Sequence, residues 1–196
     1  KSTILEAIAV ALGFGSEGGT KNIRFETAKT ISELHNHMRI VQSFEKPKDH
    51  FFLRSESLYN VGTYLDELEK EDPGKTLKPY GGKSLHQRSH GESFMMLLLH
   101  KFRGKGLYLL DEPEAALSPA RQLAALVRIH DLVEDSSQFI IATHSPLLLA
   151  YPSSKIVVFD DIGWHEVKYE QTEHYSITHD FLNNYKRRLE QLFSSD

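Results

Sequence analysis

Leu107-Tyr108-Leu109-Leu110-Asp111-Glu112-Pro113-Glu114 is the stretch on which the fold turns. Four apolar residues run straight into two adjacent carboxylates. A short apolar run of this kind reads as a buried strand. In open α/β sheets, ligands sit beyond the carboxyl ends of the strands, so the two acids stand where chemistry is expected. Moving outward, Ser118-Pro119 opens a helix, with Ser as N-cap and Pro in the first helical position. Its inward face is expected to carry Leu123, Leu126, Val127, His130 and Val133. A second apolar strand, 138–142, runs into Thr143-His144-Ser145-Pro146 and a short helix at 146–150.

Upstream, Ser89-His90-Gly91-Glu92 reads as a turn opening a helix at 93–102, and Gly104-Lys105-Gly106 leads back to the first strand. At the start of the chain, Ile4, Leu5, Ile8 and Leu12 fall at helical spacing, which predicts a helix over 2–12 led by Lys1-Ser2-Thr3. A glycine-rich loop follows at 15–19. Short strands are expected at 23–27, 38–43 and 50–54, a helix at 58–71 and a loop over 72–88. Downstream, strands at 155–159 and 164–169 flank a turn. A last helix over 179–193 is expected to turn Phe181, Tyr185, Leu189 and Leu192 or Phe193 inward. Alternating strands and helices define an α/β protein with a largely parallel sheet.

The composition narrows the chemistry. A chain of 196 residues suits one domain with a small insertion. The absence of Cys excludes disulfides, Cys-ligated zinc and thiol nucleophiles. With 23 basic and 27 acidic side chains the net charge is −4, so no global basic field draws in nucleic acid. The cluster Lys75, Lys78, Lys83 and Arg88 would allow phosphate contact, but a solvated loop face is the plainer reading. Neither a membrane span nor a signal peptide is visible, so a cytoplasmic location without membrane insertion is expected.

One sheet edge is therefore expected to gather a lysine, two hydroxyls, two carboxylates and an imidazole, the inventory for hydrolysing a magnesium–nucleotide complex. Each piece alone has a bland reading. Thr3-Ile4-Leu5-Glu6 fits a capping box, Asp111-Glu112 an exposed turn, and His144 a polar residue beside a helix cap. Their order along the chain is what argues for the joint reading.

In that order the chain resembles the nucleotide-binding domain of ABC-type ATPases, closest to small AAA-family ATPases of the SMC and RecF-like group. Lys1-Ser2-Thr3 is similar to the end of the Walker A loop, and Ser89-His90-Gly91-Glu92, after Arg88, to the signature motif. The stretch 107–112 is similar to Walker B, 116–118 to the D-loop, and His144 to the switch histidine. The likeness is specific over 1–14 and 85–150. Glu56, in Ser55-Glu56-Ser57, stands where the family places its Q-loop glutamine.

The resemblance implies a P-loop NTPase three-layer sandwich formed as a single domain over 1–196. Residues 1–26 and 107–196 would form the core lobe, and about 27–106 would carry strands, a short helical and loop insert, and the signature region. It implies ATP and Mg²⁺ as cofactors. Lys1 would neutralise the β- and γ-phosphates, and backbone N–H groups of residues 1–3 would bind phosphate oxygens. Ser2 and Asp111 would hold Mg²⁺, with Thr3 nearer the α-phosphate. Glu112 would polarise the attacking water, and His144 would contact the γ-phosphate. Ser89, His90, Gly91 and Glu92 would act from a second copy in a head-to-tail, ATP-sandwiched homodimer.

Three departures from the family accompany this. The chain starts at the lysine, so the first strand and glycine-rich loop are expected upstream of it. His90 replaces a signature glycine, and Ser118 stands at the usual D-loop aspartate. A role in DNA metabolism or defence, with nucleic acid or another protein as partner, is within the family's range. The alternatives are an ABC transporter ATPase subunit and a non-catalytic interaction module on the same fold. Glu56 and the short insert count against the first, and Glu112 together with His144 against the second.

Overall fold

The computed structural model describes residues 1–21 and 32–194. The chain divides into two compact units, Lys1–Thr143 and His144–Asp196.

The first unit is built on three parallel strands, β1 (Asp49–Arg54), β2 (Gly106–Asp111) and β3 (Gln138–Ala142), in the order β1-β2-β3. The register aligns Arg54 with Asp111 and Asp111 with Ala142, so the three strands end in one row. The helix α1 (Ser2–Ala11) buries Leu5 and Ala9 against Phe52 and Leu109, joined by Phe14 and, less deeply, Ile140. Phe52, Leu109 and Ile140 are register partners and so share one sheet face. Side chains alternate along a strand, which sends Phe51 and Tyr108 to the opposite face. There Phe102 stacks on Tyr108 at 4.2 Å and lies 5.5 Å from Phe51. Helix, sheet and a second helical layer give the expected α/β sandwich. At the other end of the sheet Asp49 accepts from Tyr108 Oη and from Lys101 Nζ, both at 2.9 Å.

The remaining helices of this unit are α2 (Leu58–Glu71), α3 (His90–Met96) and α4 (Pro119–Glu134). Beyond Met96, residues Leu97–Lys101 continue as a π-helical turn. Arg128 of α4 satisfies that turn, donating from Nε to the Leu98 carbonyl at 3.1 Å and from Nη2 to that of Phe102 at 3.2 Å.

Several expectations are corrected. Residues 38–43 form no strand, and Val41 within the segment and Phe44 beside it are exposed. The strand expected at 23–27 lies outside the described residues. The glycine loop does pair: Gly19 bridges antiparallel to Phe52, and Gly18, at φ +95°, passes so close that a Cβ would stand 2.7 Å from the Phe52 carbonyl oxygen. The face of α4 is one position off. Gln122, Ala125, Ile129 and Leu132 are buried, while Leu123 and Val127 are exposed. The small residue Ala125 and the amide Gln122, which donates to the Leu117 carbonyl, hold the inner face that branched residues were expected to take. The capping box that was the bland reading of Thr3 and Glu6 does not form: Lys1 is the N-cap, and Glu6 pairs with Arg54 at 3.1 Å.

The second unit contains α5 (Pro146–Leu149), the strands β4 (Ile156–Asp160) and β5 (Gly163–Val167), and α6 (Glu173–Phe193). β4 and β5 form their own antiparallel hairpin instead of extending a parallel sheet. Two residues connect them, and so short a link permits only antiparallel pairing. Along α6, Phe181, Tyr185, Leu192 and Phe193 are exposed rather than turned inward. Among the described residues no helix is long and apolar enough to cross a membrane.

Candidate functional site

The row of strand ends meets the start of α1. Ser2 Oγ donates to Asp111 Oδ1 at 2.9 Å, and Lys1 Nζ donates to the Thr143 carbonyl at 3.4 Å. The N-cap of α1 is Lys1, whose side chain makes no capping hydrogen bond, and a helix start is an arrangement that receives anions. The lysine, the hydroxyl and the carboxylate expected together are therefore together, brought there by two separate elements.

Asp111 is 8% exposed. Burial raises its carboxyl above the ordinary range. The Ser2 hydrogen bond and the Arg54 guanidinium oppose that rise, while Glu112 and Glu56 add to it. A carboxylate so placed gains from a cation at its open side. Arg54 is anchored by Glu6 and by the Ser16 carbonyl at 3.1 Å, and it reaches Glu56 at 3.7 Å.

Glu112 follows with a left-handed backbone, φ 48° and ψ 51°, which costs a residue with a Cβ roughly 1–2 kcal/mol. Two anchors hold it. Its N–H donates to the Ala142 carbonyl at 2.9 Å, and Ser55 Oγ donates to its carbonyl at 2.8 Å and to that of Asp111 at 3.1 Å. The bend leaves Glu112 exposed directly after a buried aspartate. Ser55 and Arg54 carry this geometry, and sequence reasoning gave them no role. The available signal was their place at the carboxyl end of an expected strand, where ligands sit in open α/β sheets.

The tetrapeptide Ser89–Glu92 is not a turn ahead of a helix; it is the first turn of α3. Ser89 Oγ accepts from the Glu92 N–H at 3.3 Å, and Glu92 Oε2 accepts from the Ser89 N–H at 2.9 Å. That N–H holds the Glu92 carboxyl below its usual range, with Arg121 at 3.8 Å contributing. Gly91 is buried, and a Cβ there would overlap the Ala116 carbonyl oxygen. Glycine thus lets α3 touch the 113–116 turn that follows β2. His90 is exposed at the rim of a cavity of about 240 Å³, lined also by Leu53, Ser55, Phe94 and Pro113. Ser89, His90 and Glu92 contact one another, Arg121 or this turn rather than Ser2 or Asp111. Glu56 is exposed and pairs with Arg54 at 3.7 Å.

His144 belongs to the second unit, one residue after Thr143. It is exposed, and its Nδ1 lies 3.0 Å from His174 Nε2. Ser145 caps α5, accepting from the N–H groups of Leu147 and Leu148 at 3.1 and 3.3 Å. In the basic cluster, Lys75 pairs with Asp72 at 2.9 Å and Arg88 donates to the Gly81 carbonyl at 3.3 Å. Among the described residues no group of three or more His, Asp or Glu is arranged to hold a metal.

A hydroxyl and a carboxylate in contact are hard oxygen donors. They suit Mg²⁺, which takes one or two protein ligands and completes its shell with water and phosphate. The Ser2–Asp111 pair fits that ion.

Residues 93–150 match the protein family described as "AAA domain, putative AbiEii toxin, Type IV TA system". The match runs from within α3 through Asp111 and Glu112 to α5, under a third of the chain. Among solved structures, UvrA2 from Deinococcus radiodurans is similar at 24% identity and a TM-score of 0.29 over 44% of this chain. The aligned part is 13% of that chain's length. No curated protein matches.

Proposed function

We propose that the chain binds ATP with Mg²⁺ and hydrolyses it, using the cycle to close and open a head-to-tail dimer. The observation that carries this reading is the 2.9 Å contact between Ser2, at an uncapped helix start, and buried Asp111 at the end of the central strand. Helix start and strand end would present N–H donors, an ammonium and two hard oxygen ligands to one polyphosphate. When bound, Mg²⁺ would neutralise charge developing on the β- and γ-phosphates.

Lys1 would add a point cation beside those phosphates. Glu112, held exposed by Ser55 and Ala142, would accept a proton from the attacking water. His144 would donate to the γ-phosphate. Ser89 Oγ is already an acceptor within α3, so its own O–H proton is the group it would offer to a phosphate of a second copy.

The test is Glu112→Gln in the full-length protein. We expect turnover to fall by at least 10²-fold, the range for losing a general base, with ATP-bound dimer accumulating on size-exclusion chromatography with light scattering. Ordinary turnover in this variant would overturn the assignment. DNA binding measured against salt, with and without ATP, asks whether nucleic acid is a partner; a flat salt dependence would remove it.

A further inference from the structure

The second unit places a second histidine against His144. His174 lies in the first turn of α6, and its Nε2 stands 3.0 Å from His144 Nδ1, the ring centroids 5.2 Å apart and the planes at 54°. Both rings sit on a braced frame. Thr172 is buried, and its Oγ1 caps α6 by accepting from the Tyr175 N–H at 3.2 Å while donating to the Tyr169 carbonyl at 2.7 Å. Tyr169 in turn donates from Oη to the Pro146 carbonyl at 2.9 Å, tying the start of α6 to the start of α5, just after His144. The edge-on contact of Tyr169 with Tyr175, at 4.8 Å, stiffens the same link.

We propose that His174 is a positioning residue that sets the tautomer of His144. The inference rests on the reading of His144 as the group that contacts the γ-phosphate. Two imidazoles joined by one hydrogen bond must have one protonated and one bare nitrogen facing each other. Phosphate oxygens only accept, so the His144 nitrogen that meets them has to carry a proton. In a neutral ring that nitrogen is Nε2, which requires Nδ1 to be bare and to have a donor opposite it. His174 Nε2–H is that donor. A side chain thirty residues away thus decides which face of His144 can bind phosphate, as the hydrogen bond on one ring nitrogen commonly sets the state of the other.

The experiment uses the full-length protein labelled with ¹⁵N-histidine, with His174→Phe and His174→Gln beside it. Gln places an amide N–H near the position of Nε2, and Phe removes the donor at similar volume. In the parent protein and His174→Gln, nitrogen chemical shifts should report His144 protonated on Nε2. In His174→Phe the tautomer should become mixed. Turnover in His174→Phe should fall about tenfold or more, by analogy with the loss when the outer partner of a metal-bound histidine is removed. The KM for ATP should change little, and His174→Gln should recover most of the rate.

A parent protein with the proton on Nδ1, or a His174→Phe variant with unchanged tautomer and unchanged kcat, would overturn the proposal. Should His174→Phe not fold, the tautomer in the parent protein and in His174→Gln still decides it. His144→Ala separates the two levels. Full activity there sinks the phosphate role of His144, whereas the tautomer measurement judges His174 independently.

Discussion

At the scale of single residues, Asp111 shows function set against stability. Its carboxyl is raised by burial, so over the window between the unfolded value near 3.9 and the raised folded value the folded state holds more protons. The contribution is full below the unfolded value and is lost as pH rises through the folded one. At neutral pH the buried charge is therefore a cost that Ser2 and Arg54 only partly offset. Asp111→Asn should raise the melting temperature of the nucleotide-free protein by about 2–4 °C, on the order of 1 kcal/mol at this size, and should abolish the further rise on adding Mg²⁺ and ATP. Asp49, at the opposite end of the sheet, has the contrary sign. Burial raises it, but the Lys101 hydrogen bond and charge, with Tyr108 and the Arg103 N–H, outweigh that and hold it below 3.8. Its contribution is present above the unfolded value and is lost as pH falls through the folded one. Asp49→Asn should cost about 1–3 kcal/mol at pH 7, and in urea titrations the difference from the parent should shrink towards zero on acidification. Both acids were visible in the sequence, but their opposite signs depend on what surrounds each in space.

At the scale of elements, the junction between α3 and the turn after β2 carries the most information. Ser89 and Glu92 were legible as chemistry-bearing residues, and their local use is a capping box. Gly91 was legible as part of a motif, but its physical reason is the Ala116 carbonyl against which α3 packs. Gly91→Ala should push the two apart and cost about 1–3 kcal/mol as overpacking, read as a fall of several degrees in melting temperature. The existence of α1, α2 and α4 followed from periodicity, whereas the orientation of α4 did not. Its sequence offers apolar residues on two neighbouring faces, and the choice fell to the face bearing Ala125 and Ile129. For α6 the periodicity was real, yet Phe181, Tyr185 and Leu192 remain exposed. An apolar stripe states that a face is apolar and leaves open what covers it.

At the scale of the whole molecule, the parallel sheet and the β4–β5 hairpin belong to separate units, and their stabilities should differ. β2 is paired on both sides and buried, whereas α6 has no buried residue. Native-state hydrogen exchange should find the slowest amides in Gly106–Asp111 and markedly faster exchange along α6, since amides protected by few buried contacts open locally. Uniform protection across both would contradict this division. The alternation of apolar runs with helical periods was enough to establish the α/β class, the strands 107–110 and 138–142 and the acids that end the first of them, because these features depend on local pattern. Long-range pairing decided the rest: Ser2 against Asp111, Arg54 across from it, Ser55 bracing Glu112, and His174 beside His144. Such contacts join residues about 30 to 110 positions apart, and no local period in a single chain records which distant side chain will fill the space beside a given one.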